Sequence, residues 1–141
     1  MKINIATVSK PNFNYAVSGF ELYSKRLSYY HDLKIHHFKN SVSDNEILNF
    51  FEDTYLIILD VKGRQFSTIE LANYLNELSI KNKRIGFLIG GAEGLSENVQ
   101  NSADFKWSLS NLTFPHDLAM IVTLEALYRA TTVNFGLPYH K

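Results

Sequence analysis

The chain has 141 residues, the size of one domain, and is long enough to bury roughly two thirds of its unfolded surface around a single core. Hydrophobic residues make up 45% and charged residues 20%, which excludes disordered, collagenous and mucin-like compositions. Lys plus Arg (14) balances Asp plus Glu (14), so no net field gathers nucleic acid over long range, and the lack of cysteine removes disulfides, thiolate catalysis and thiolate metal sites.

Lys2 to Val8 reads as a strand of β-formers, broken at Ser9-Lys10-Pro11-Asn12 before an amphipathic helix carrying Phe13, Val17, Phe20, Tyr23, Leu27 and Tyr30. Leu33 to Phe38 reads as a second strand, and Ser43 with Glu46 as a capping box opening a short helix through Ile47 and Phe51. Tyr55 to Val61 is a continuous apolar run, as expected of a strand covered on both faces, and Gly63 then turns the chain. A second capping box, Ser67 with Glu70, starts a helix with Leu71, Leu75 and Leu78; Lys81-Asn82-Lys83 stops it before the strand Ile85 to Ile89. Gly90-Gly91-Ala92-Glu93-Gly94 leads through Ser96 into a short helix, and Lys106 to Leu109 supplies a fifth strand. Ser110 to Phe114 is a loop, and Pro115 opens a last helix reaching about Val133.

This alternation predicts one α/β domain over residues 1–141, with a mostly parallel sheet of five to six strands. No apolar run approaches the ~20 residues of a membrane helix, and the polar start lacks the apolar segment of a secretion signal, so a soluble cytoplasmic protein is expected.

In an open parallel sheet, ligands bind outside the carboxyl ends of the strands. Three segments meet that condition: Leu59 to Gly63, Ile89 to Leu95, and Leu109 to Phe114. The glycine loop fits neither the dinucleotide fingerprint nor the Walker lysine motif, and by itself it reads as a tight strand-to-helix turn. No cluster of metal-ligating residues stands out.

The strings Ile89-Gly90-Gly91-Ala92-Glu93-Gly94-Leu95-Ser96, Trp107 through His116, Glu125-Ala126-Leu127-Tyr128-Arg129-Ala130 and Pro138-Tyr139-His140-Lys141 resemble the ribosomal RNA large subunit methyltransferase H family of the SPOUT class. The likeness is co-linear along the whole chain and includes Leu59-Asp60 with Gly63. It implies a homodimer with a C-terminal trefoil knot, the α/β-knot fold. It also implies S-adenosylmethionine as cofactor and methylation of N3 of a pseudouridine in 23S rRNA on the assembled ribosome. Such transfer needs positioning and removal of one acceptor proton, with neither a metal nor a cysteine. By resemblance, cofactor contacts fall on Leu59, Gly90, Leu109, Ser110, Asn111, Leu112, Thr113 and Phe114. Met120 stands where the family pattern has an Arg and Leu137 where it has a His, which leaves open a SPOUT enzyme with another RNA target or a module that binds ribosome or cofactor without catalysis.

The candidate catalytic residues are His140, Tyr139, His116 and Arg129. His116, one turn into the last helix, is either a base or RNA contact or a structural hydrogen-bonder. Arg129 stands four residues after Glu125, the favourable order for a surface pair, and in the family context meets phosphate or the active site. Glu93 either orients a ligand or caps the next helix. His31, His36 and His37 read as surface or core fillers. Tyr139, His140 and Lys141 suggest a tail that docks into a site or across a dimer, against the frayed end usual at a terminus. Apolar residues on several faces of the last helix (Leu118, Ile121, Val122, Leu124, Leu127, Tyr128) predict a homodimer. Local cations that could meet RNA are Lys25 with Arg26, Lys62 with Arg64, Lys81 with Lys83 and Arg84, and the Arg129 to Lys141 end.

Overall fold

The computed structural model describes residues 1–82 and 84–141; Lys83, expected in the stop after the third helix and in one basic cluster, lies outside the described residues. Five strands and five helices alternate: β1 (Lys2–Val8), α1 (Asn14–Ser28), β2 (Asp32–Phe38), α2 (Asp44–Phe50), β3 (Tyr55–Arg64), α3 (Thr68–Lys81), β4 (Arg84–Ile89), α4 (Glu97–Ser102), β5 (Phe105–Trp107) and α5 (His116–Asn134). All four strand pairings are parallel, in the order β2-β1-β4-β3-β5.

Successive side chains of a strand point to opposite faces, and the core divides accordingly. Ile3 and Ile5 of β1, Ile57 of β3 and Ile85, Phe87 and Ile89 of β4 pack against Phe20 and Leu27 of α1, Leu71, Leu75 and Leu78 of α3, and Met120, Leu124 and Leu127 of α5. Ala6, Val8, Leu56, Ile58 and Leu88 face the other way, onto Ile47 of α2 and Val99 of α4. Both faces of the central strands are covered, which accounts for their unbroken apolar runs.

The Ser67 side chain accepts from the Glu70 N–H while the Glu70 carboxylate accepts from the Ser67 N–H, closing the expected capping box. The expected box at α2 is half made: Ser43 Oγ accepts from the Glu46 N–H, but its hydroxyl donates to the Glu46 carboxylate at 3.3 Å. Gly63 does not turn the chain. It belongs to β3, where a Cβ would lie 2.4 Å from the Lys106 carbonyl oxygen, so it is the close approach of β5 that demands glycine. Leu59 and Arg64 both pair with Trp107, so residues 60 to 63 form an excursion in β3 between them. The fifth strand is Phe105–Trp107, starting one residue earlier and ending two earlier than the expected Lys106 to Leu109.

Candidate active site

The carboxyl ends of β3 and β4 and the chain after β5 open into one cleft of about 740 Å³. Leu59, Gly90, Leu109, Ser110, Leu112, Thr113 and Phe114 line it, so residues from Leu59 to Phe114, in three separate segments, converge on one cleft. Asn111 is the exception: it stands outside the lining, and its side-chain oxygen accepts from Gln65 Nε2 at 2.7 Å. The β3 excursion adds Asp60, Val61 and Lys62 to one wall, and an Asx turn, Lys62 N–H onto Asp60 Oδ1 at 2.9 Å, shapes it. Glu93 is exposed and absent from the lining. Ser96, not Glu93, caps α4, by accepting from the Val99 N–H.

The glycine loop is tight against its neighbours. A Cβ on Gly90 would meet the Leu95 side chain at 3.0 Å, and one on Gly91 would meet the Val8 carbonyl oxygen at 3.1 Å. Gly94 closes the loop at φ 76°, with its N–H bonded to the Gly91 carbonyl.

His116 also lines the cleft, and both ring nitrogens are engaged by backbone: Nδ1 lies 2.9 Å from the Gly90 carbonyl oxygen and Nε2 3.2 Å from that of Ser9. No ring nitrogen is left to face a substrate as a base. Of the readings open for His116, this geometry is that of a tie between the glycine loop and the loop after β1.

Ser9 was not singled out by its sequence. It holds φ 82°, a left-handed conformation uncommon for a residue with a side chain. Its carbonyl accepts from Thr7 Oγ1 at 2.7 Å as well as from His116, and Thr7 Oγ1 stands 2.6 Å from His37 Nδ1. Burial, with the charges of His36, Lys10 and His116 adding to it, holds the His37 imidazole below its ordinary protonation range. His37 therefore reaches His116 of the cleft wall through the Thr7 hydroxyl and the Ser9 carbonyl, although nothing near it in sequence suggests so.

Arg129, Tyr139 and His140 form a separate cluster. Arg129 Nε donates to Glu125 Oε1 at 2.9 Å and its guanidinium covers the Tyr139 ring at 4.8 Å. The Tyr139 hydroxyl donates to the same Glu125 oxygen at 3.1 Å, and its ring meets Tyr128 edge-on. Burial, with hydrogen bonding and the Glu125 charge, pushes the Tyr139 phenol well above its usual range. Arg129 Nη1 lies 3.3 Å from His140 Nδ1, and since a guanidinium only donates, that nitrogen accepts. The tail thus docks on its own helix. Arg129 stands thirteen positions after His116 on α5, about 20 Å of helix, so the cluster and the cleft lie toward opposite ends of it. Met120 is fully buried in the core, and Leu137 donates its N–H to the Thr132 carbonyl as Gly136, at φ 68°, ends α5.

The family described as Predicted SPOUT methyltransferase matches residues 1–140. A protein of Deinococcus radiodurans named Ribosomal RNA large subunit methyltransferase H is 39% identical, with all of this chain and 99% of that protein covered. One of the same name from Clostridium novyi is 37% identical, with both covered in full. Among solved structures, a probable methylase family protein from Haemophilus influenzae Rd KW20 gives a TM-score of 0.62 at 13% identity, over 99% of this chain and 70% of that one. The SpoU methyltransferase AviRb from Streptomyces viridochromogenes, solved in complex with the cofactor AdoMet, gives 0.53 at 12% identity, over 97% of this chain and 58% of that one. At such identities these structures share the fold.

Proposed function

Because this chain belongs to the SPOUT methyltransferase family, we propose that it methylates 23S rRNA of the assembled ribosome with S-adenosylmethionine, at N3 of a pseudouridine. The observation that carries this reading is the convergence of Leu59, Gly90 and residues 109 to 114 on one cleft at the carboxyl ends of the strands.

The cleft fits the cofactor's chemistry. Its apolar walls, Leu59, Leu109, Leu112 and Phe114, suit an adenine ring, while backbone groups of the glycine loop and of Ser110 and Thr113 suit the polar ends of an amino-acid moiety. The cofactor supplies a methyl group already activated by its sulfonium charge. What remains for the protein is to hold the acceptor in line and to accommodate the proton lost from N3.

His116 serves in this reading by fixing the Gly90 loop. The groups left to meet the acceptor are Arg129, Tyr139 and His140, and about 20 Å of helix keeps them from the cleft of their own chain. They reach a cleft as the contribution of a second copy, in a homodimer with the chain threaded as the family's trefoil knot. Exposed apolar side chains on the paired helices α1 and α5, Phe13, Val17, Leu22 and Leu118, suit such an interface. In the dimer, Arg129 meets a phosphate or the developing charge, Tyr139 stacks on a base, and His140 handles the proton. The protein is expected in the cytoplasm, where ribosomes are; among the described residues, no helix is long and apolar enough to cross a membrane.

The test is calorimetric titration with S-adenosylmethionine, followed by tritium transfer to ribosomes from a strain lacking the gene and mass spectrometry of the labelled rRNA. Binding followed by one methyl group on a 23S pseudouridine supports the reading. Transfer to a different RNA makes the chain a SPOUT enzyme of other specificity, and binding without transfer makes it a cofactor-binding module.

A further inference from the structure

We infer that Thr7 is a positioning residue for the cofactor cleft, acting through the Ser9 carbonyl and His116 on the backbone of Gly90. The inference rests on the cleft being the cofactor site and adds a residue that touches no part of it.

The Thr7 side chain is fully buried at the carboxyl end of β1 and absent from the cleft lining. A hydroxyl has one hydrogen, and the Ser9 carbonyl, 2.7 Å away, can only accept; Thr7 therefore donates to Ser9, and His37 Nδ1 at 2.6 Å donates to Thr7. The same Ser9 carbonyl stands 3.2 Å from His116 Nε2, and the Gly90 carbonyl 2.9 Å from His116 Nδ1; both oxygens only accept, so each bond is made when the facing ring nitrogen carries a hydrogen. With a hydrogen on each His116 ring nitrogen the path from His37 to the glycine loop is continuous, and its weakest member is Ser9. At φ 82° that residue sits where only glycine rests without cost, so something outside Ser9 must hold its carbonyl in place. Two groups do so, Thr7 and His116, and only Thr7 belongs to a strand hydrogen-bonded on both sides, with its backbone fixed between β2 and β4. Removing the hydroxyl releases Ser9 toward ordinary backbone angles, swings its carbonyl from His116, and leaves the ring tied to Gly90 alone.

Thr7→Val keeps the side-chain shape and deletes the hydroxyl. Titrated with S-adenosylmethionine, this variant is expected to bind about five- to tenfold more weakly than the parent. Thr7→Ser, which keeps the hydroxyl, is expected to restore binding to within about twofold. The decisive variant is Ser9→Gly combined with Thr7→Val. Glycine adopts the left-handed angle without strain, so the double variant should recover most of the lost affinity, whereas a defect from lost packing or from the unpaired His37 Nδ1–H would persist. Parent-like affinity in Thr7→Val overturns the inference, and so does a double variant as weak as the single one. Thermal melting of each variant separates loss of fold from loss of affinity. Failure of the parent itself to bind removes the cofactor assignment and this inference with it; failure confined to the pattern of variants removes only the inference.

Discussion

The carboxylate of Asp117, at the start of α5, stands 2.7 Å from the backbone N–H of Phe13, the residue that opens α1, and 2.9 Å from that of Asn12. Phe13 caps α1 without a side-chain hydrogen bond, and its own N–H and that of the residue before it are satisfied by an acid on another helix. Asp117 is 3% exposed, and its charge is set against the positive end of the α1 dipole.

Asp117→Ala should lower the unfolding free energy by about 1–2 kcal/mol, since it removes one buried acceptor shared by two part-buried backbone hydrogen bonds. Asp117→Asn, which retains an acceptor oxygen, should cost less than half as much. Urea denaturation of the two variants beside the parent checks both; equal losses would mean that charge, not hydrogen bonding, dominates.

His31 makes stability depend on pH. Its Nε2 donates to Thr131 Oγ1 at 2.9 Å while Nδ1 is buried without a partner among the described residues, and burial, aided by the charge of the amino terminus, lowers its pKa from 6.5 to about 4. The folded protein thus holds the ring neutral where the unfolded chain protonates it. Stability from this site is complete above about pH 6.5 and is lost as pH falls toward 4, by about 2 kcal/mol once its partial exposure is allowed for. Urea midpoints at pH 7 and pH 5 should differ in the parent and move closer together in His31→Gln; His37, shifted in the same direction, contributes to the residual slope.

Removing Pro138 to Lys141 should leave cofactor affinity within a few-fold, because none of these residues lines the cleft, and should lower methyl transfer by about 10²-fold or more. Tyr139→Ala should chiefly weaken engagement of the ribosome and His140→Ala the rate and its pH profile. Transfer at the parent rate by the truncated protein would confine the Arg129 cluster to a structural role.

Gly63→Ala tests the β3 excursion. Its methyl group would lie 2.4 Å from the Lys106 carbonyl oxygen, so β3 and β5 must part locally, at about 3 kcal/mol. Leu59 lies on one side of that contact and Leu109 follows the other, so cofactor affinity should fall together with the melting temperature.

Most of the framework was legible because its signals are local. β1 begins and ends at Lys2 and Val8 as its pattern of β-formers predicts, and the Ser67 and Glu70 box forms both its hydrogen bonds. What escaped depends on partners far along the chain. Gly63 carries the mark of a turn, but the approach of Lys106 some forty residues later is what requires it. A carboxylate at position 117 looks like a favourable charge for its own helix, and nothing in its neighbourhood says that it caps another. In the site, three loops were located by the rule that ligands gather at strand carboxyl ends, whereas the involvement of Thr7, Ser9 and His37 depends on one carbonyl turned by a single left-handed residue.

The strand order has a kinetic consequence. β1 is hydrogen-bonded along its length to β4, with Lys2 opposite Arg84, so during synthesis β1 must wait for about eighty further residues before its second edge is covered. β5, which closes the other side of the sheet, comes later still, and α5 supplies a large part of one core face from the last quarter of the chain. Contacts so distant in sequence close large loops before they return any stabilisation, which places this chain among slow folders for its length. Until then the β1–β2 pair carries an unpaired edge of Ile3, Ile5 and Thr7, and that interval is when the protein is most exposed to aggregation.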